Sequence, residues 1–141
     1  MSLEGNKALV RRFVEEVQNQ HNLDAINELF SPNFVDHSGM TSPPYVEGTR
    51  ALFAETFAAF PDFYIEIHQQ LAEGDQVMTR KTLHGTHRGP FMGIPATGKE
   101  VAVTFVDIFT VINGKITEHW TEGAALGILQ QLGGISTIKV P

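Results

Sequence analysis

Residues 101–122, VAVTFVDIFTVINGKITEHWTE, decide the fold. Asn113-Gly114 sits between two apolar-rich runs, and it is the strongest hairpin signal in the chain. A type I′ turn needs positive φ at both central residues, which Asn-Gly supplies. A two-residue turn pairs Ile112 with Lys115, and the rest follows by counting. Val111 then faces Ile116, Phe109 faces Glu118, Asp107 faces Trp120 and Phe105 faces Glu122. Side chains alternate along a strand, so these eight share one face with Val101 and Val103. The other face carries Ala102, Thr104, Val106, Ile108 and Thr110 against Thr117, His119 and Thr121. The first face is bulkier and more aromatic, and it is expected to line the interior.

The period on either side of the hairpin supplies the remaining elements. Leu9, Val10, Phe13, Val14 and Val17 recur at helical spacing, with Arg11, Arg12, Glu15 and Glu16 between them. A second short helix is expected over 23–30, stopped by Ser31-Pro32, since proline disfavours helix in the residue before it. A short strand at 34–37 and a helix at about 46–60 follow. After Pro61 the period falls to two, with Phe63, Ile65 and Ile67 alternating with Tyr64, Glu66 and His68. Strands are expected over 63–71, 76–86, 100–112 and 115–122, and a last helix over 125–132, closed by Gly133-Gly134. Strands of about 11 residues would run roughly 35 Å if flat, so they must twist and bend in a small domain. The expected class is α+β: three helices inside a curved antiparallel sheet, forming a cone with an apolar pocket.

Composition narrows the function. The chain has 141 residues, 42% of them hydrophobic, which suits one domain over 1–141 with a sizeable core. Lys and Arg number 10 against 16 Asp and Glu, a balance that argues against nucleic acid as partner. No apolar run approaches the roughly 20 residues that cross a bilayer. The opening MSLEGNK lacks a signal-peptide core, so a cytoplasmic location is expected, and residues 1–3 carry no weight. Cysteine is absent, which removes disulfides and thiolate metal sites.

Three residues stand out as candidate catalytic groups. Asp107, and with it Glu122, falls on the apolar face, where desolvation is expected to raise a carboxyl pKa, as proton-transfer sites require. His37 closes the short strand just beyond Asp36, at the expected mouth of the cone, where a neutral imidazole accepts a proton. Phe13, Phe105, Phe109 and Trp120 are expected to wall the substrate site. Phe91 joins them from the 86–99 connection, which has the composition of a lid. His84 and His87, three apart at a strand end, point to opposite faces, so no metal site is expected.

Three segments carry a family resemblance: LDAINELFSPNFVDH (23–37), GTHRGPFMGIPATGK (85–99) and INGKITEHW with ALGILQQLG (112–133). They resemble the SnoaL-like polyketide cyclase family, in the cone-shaped superfamily of nuclear transport factor 2 and ketosteroid isomerase. The likeness runs from about Asn6 to Gly133. It implies the same cone, an apolar small-molecule ligand and a homodimer formed through the outer sheet face. It also implies aldol ring closure without a cofactor. The proton-moving aspartate that the resemblance places after EHW corresponds to Ala124. Glu122, two residues earlier, is the accessory acid on this reading. The steroid isomerases place an oxyanion-hole aspartate at Asp107, a general-base aspartate near His37 and a tyrosine near Phe13. Here one donor is missing and the base is a different residue type, so steroid isomerisation by that constellation is not expected. Two readings stand together: an enzyme using His37, Asp107 and Glu122 for aldol, isomerisation or hydration chemistry, and a non-catalytic binding module, which Ala124 favours.

Overall fold

The hairpin forms as its sequence dictates: Asn113 and Gly114 both take positive φ, 50° and 75°, and Ile112 pairs with Lys115. The computed structural model describes residues 2–135; Met1 and residues 136–141 of the expected 1–141 domain lie outside the described residues. Helix α1 (Leu3–Arg12) is capped by the Ser2 side chain, which accepts from Gly5 N at 2.9 Å. It runs straight into a π-helical segment, Phe13–Asn19. A 3₁₀ turn (Leu23–Ala25) leads into α2 (Ile26–Leu29) and strand β1 (Phe30–Asp36). Helix α3 (Val46–Ala59) precedes β2 (Tyr64–Glu73), β3 (Gln76–Thr86), β4 (Glu100–Ile112), β5 (Lys115–Glu122) and α4 (Ala124–Leu132).

The five strands form one curved sheet in the order β1-β5-β4-β3-β2. The β2 to β5 pairings are antiparallel as expected, but β1 runs parallel to β5, so the sheet is mixed. Strand β1 is also longer than the expected 34–37 and begins where the second helix was expected to end. Its Pro32 is tolerated because β1 is an edge strand, where one face of the ladder needs no N–H. The helices cover the concave face. Phe13 is their anchor, with edge-on contacts to Phe30, Phe53 and Phe109 at 5.3–5.8 Å between centroids. Among the described residues, no helix is long and apolar enough to cross a membrane.

One feature of the β4–β5 pair departs from the simple count and moves the site. Val111 faces Ile116 as expected, but Thr110 faces Glu118, so Thr117 is an extra residue. The Thr117 hydroxyl donates to Thr110 O at 3.2 Å across this bulge. Beyond it every β5 side chain has changed face, the consequence of a one-residue slip in a period-two structure. Asp107 therefore pairs with Thr121, not Trp120, and Phe109 with His119, not Glu118. The inward row of β4 (Val101, Val103, Phe105, Asp107, Phe109, Val111) is buried as expected.

Candidate active site

Four strands each contribute one charged side chain to a row at the inner face of the sheet. Lys81 comes from β3, Asp107 from β4, His119 from β5 and Asp36 from the end of β1. Lys81 Nζ lies 2.5 Å from Asp107 Oδ2, and His119 Nε2 lies 2.9 Å from Asp107 Oδ1. His119 Nδ1 lies 3.2 Å from Asp36 Oδ1, which also accepts from Ser38 N at 2.8 Å. Lys81 is wholly buried and Asp107 is 3% exposed. The His119 ring stacks on Phe109 at 4.6 Å, and Lys81 Nζ sits within 5.4–5.8 Å of the Phe13, Phe105 and Phe109 ring centres. Charges alternate along the row, so it can be buried without a net charge.

The protonation states follow from these contacts. Burial by itself would raise the Asp107 carboxyl, but the Lys81 ammonium and then His119 outweigh it and hold it well below the usual carboxylate range. The expectation of a raised Asp107 pKa is thereby corrected, because the sequence reading had no buried cation to place beside it. Burial would lower His119, yet the charge of Asp107, with the Asp107 and Asp36 hydrogen bonds, pushes it up to about 9. Asp36 is lowered: its burial cost is outweighed by the His119 hydrogen bond and charge and by Ser38 N–H. At neutral pH His119 is thus an imidazolium between the carboxylates of Asp107 and Asp36.

This row meets a cavity of about 90 Å³. Asp36, Asp107 and His119 line one part of it, and its walls include Phe13, Phe91, Phe105 and Phe109. Gln18 lines it too, although it is a polar residue on a helical segment and 5% exposed. The wide π turn brings Gln18 to the same side as Phe13, five residues earlier. Lys81 Nζ donates to Gln18 Oε1 at 3.2 Å. A cation can only donate, so it fixes the amide oxygen toward itself and leaves Nε2, which has no partner among the described residues, as the donor end.

The expected site residues divide by face. Asp107, Phe13, Phe91, Phe105 and Phe109 line the cavity. His37 does not: its Nε2 lies 3.1 Å from Glu118 Oε2, and its ring stacks on Trp120 at 4.7 Å on the outer side of the sheet. Trp120 and Glu122 border a separate outer groove with Gln76, Val106 and Ile108. The bulge at Thr117 turns Trp120 and Glu122 outward, whereas His37 follows β1. Sequence reasoning missed His119, Asp36 and Gln18 as cavity groups, and Lys81 as the buried cation behind Asp107. Lys81 carried a legible signal, since alternation places it in one row with Val77 and Leu83. Asp36 is next to the chosen His37, and strand parity decides which of the two faces inward. Ala124 also lines the cavity, at the start of α4.

Known proteins share the overall fold. A family model described as SnoaL-like polyketide cyclase matches residues 8–132. The chain is 27% identical over 129 residues to aklanonic acid methyl ester cyclase DnrD of Streptomyces peucetius, covering 89% of this chain and 88% of that one. Among solved structures, AclR of Streptomyces galilaeus, a provisionally named hydroxylase, superposes with a TM-score of 0.84 at 30% identity, covering 98% of this chain and 87% of that one. TsrD of Streptomyces laurentii superposes with a TM-score of 0.85 at 26% identity, covering 96% and 99%.

Proposed function

Because the chain belongs to the SnoaL-like polyketide cyclase family, a family of small-molecule cyclases, we propose that it closes a ring in an apolar carbonyl compound of the polyketide type. The reaction on this reading is an intramolecular aldol addition by general acid–base chemistry, with no cofactor. The observation that carries the reading is the phenylalanine-lined cavity that ends on the Lys81–Asp107–His119–Asp36 row.

Asp36 is the base. Its Oδ1 is held by His119 and Ser38 N–H, and its carboxylate lines the cavity, where it accepts a proton from the carbon next to a substrate carbonyl. The electron pair of that C–H bond becomes an enolate, whose oxygen accepts a hydrogen bond from Gln18 Nε2. The enolate carbon then bonds to a second carbonyl carbon of the same molecule. The resulting alkoxide takes the proton back from Asp36, so no proton is gained or lost overall. His119, Asp107 and Lys81 are positioning residues. They keep a cation against Asp36 and stop the base from being protonated at rest. His37, Trp120 and Glu122 have no part in this chemistry, because their side chains lie outside the cavity.

Aklanonic acid methyl ester, the compound named in the curated relatives, is the first substrate to offer. Deuterium exchange at the methyl group of 2-acetonaphthone reads the proton-abstraction step independently of the natural substrate. Asp36→Asn is expected to lower either rate by about 10²–10⁴-fold while the fold is retained. Wild-type rates in that variant would remove Asp36 as the base. Ala124 favours a second reading, a non-catalytic module for an apolar small molecule. A wild-type chain that binds 2-acetonaphthone but neither exchanges its protons nor turns over the ester would establish that reading instead. The same proposal includes a homodimer through the outer sheet face, which the apolar residues Ile108, Trp120 and Met78 there support, and a cytoplasmic location, which rests on the sequence alone.

A further inference from the structure

The cavity wall contains two polar atoms that the proposed reaction does not use. The Oγ1 atoms of Thr41 and Thr49 are buried and have no hydrogen-bond partner among the described residues. Both residues line the cavity, and Thr49 is 4% exposed. Their neighbours in the wall are satisfied: Thr56 donates to Leu52 O at 2.7 Å and Thr121 to Val106 O at 3.3 Å. Buried hydroxyls are nearly always paired, so two orphans in one wall point to a partner that the described residues do not supply.

Backbone packing holds the two threonines in place. The 37–45 loop is tied to β1 by Asp36 N donating to Pro44 O at 2.8 Å, and Thr49 N donates to Tyr45 O at 3.1 Å. The loop lies directly on the first turn of α3: a Cβ added at Gly48 would fall 1.8 Å from Pro43 O. That approach is open only to glycine, and it brings Thr41 on the loop to the same wall as Thr49 on the helix. The wall around them is formed by side chains such as Leu52, Phe53 and Met40. A hydrogen-bonding group placed there discriminates strongly, because few alternatives exist in apolar surroundings.

We propose that Thr41 and Thr49 form a hydrogen-bonding subsite for a second oxygen of the ligand, distinct from the carbonyl that reacts at Asp36. The ligand class is then an apolar compound carrying a reacting carbonyl and a further hydroxyl, ketone or ester oxygen. This assignment rests on the reading of the cavity as a site for an apolar carbonyl compound. It concerns which such compounds are preferred, not how they react.

The test measures binding of 2-acetonaphthone and of its monohydroxy isomers to the full chain, by fluorescence, with wild type, Thr41→Val and Thr49→Val. At least one hydroxylated isomer is expected to bind about 3- to 10-fold more tightly than 2-acetonaphthone to wild type, the range of one added hydrogen bond. Both valine variants should erase that gain, leave the affinity for 2-acetonaphthone unchanged and melt at or above the wild-type temperature. No gain for any isomer, or a gain that survives in both variants, overturns the subsite while leaving the cavity reading intact. A valine variant that melts lower and loses affinity for every probe equally assigns a structural role instead, and also overturns it. Failure of wild type to bind 2-acetonaphthone at all removes the cavity reading, and the subsite with it.

Discussion

His119 is held as an imidazolium because Asp36 and Asp107 flank it and Lys81 keeps Asp107 from taking its proton. The consequence for stability has a definite sign. The His119 pKa is pushed up to about 9 in the folded chain. Its contribution is therefore fully present below about pH 6.5, the unfolded imidazole value, and declines until it is lost above about pH 9. Asp36 and Asp107 are lowered, so their contribution is present above about pH 4 and is lost as pH falls below that value. Urea midpoints are thus expected to be highest between about pH 4 and 6.5 and to fall on both sides. His119→Gln should flatten the alkaline decline; an unaltered decline in that variant would show that another group titrates there.

At the scale of elements, the site depends on where strands and helices touch. Helix α4 lies so close to β4 that a Cβ at Gly127 would fall 2.4 Å from Val103 Cγ1. Gly127→Ala is expected to destabilise by about 1–3 kcal/mol, as overpacking usually does. Adding Val103→Ala should recover part of that loss, so the double variant should be more stable than the sum of the single effects, measured by denaturant unfolding. The hairpin teaches a related lesson about legibility. Its turn, its first two pairs and the buried face of β4 were readable from Asn113-Gly114 and alternation alone. The bulge at Thr117 was not, because nothing in Ile116-Thr117-Glu118 marks one residue as extra. That single residue exchanged His119 for Trp120 on the inner face.

For the whole molecule, the size of the cavity limits what the cone can enclose. Its volume of about 90 Å³ is well under the roughly 300–1,000 Å³ of sites that enclose drug-sized ligands. A multi-ring substrate therefore requires a boundary to give way. Two boundaries are loops: the 37–45 segment, which carries Met40 and Thr41, and the 86–99 connection, which turns Phe91 inward. The sheet is not free to do so, since β3 is hydrogen-bonded on both edges. Binding of 2-acetonaphthone is expected to change amide hydrogen exchange in one or both loops and to leave β3 and β4 unaltered. Exchange that changes in the central strands instead would place the opening elsewhere.

The sequence by itself determined the α+β cone, the hairpin and its turn, the apolar walls and the presence of Asp107 among them. These are properties of local period and turn chemistry, which act between residues near in the chain. Only the tertiary structure decided which charged groups meet. Lys81, Asp107, His119 and Asp36 come from four strands, and their partnership depends on a one-residue bulge and on β1 docking parallel to β5. The ionisation of Asp107 depends on that meeting. Desolvation, the effect of its own surroundings, would raise its pKa, while Coulombic attraction to Lys81, on the neighbouring strand, lowers it and prevails.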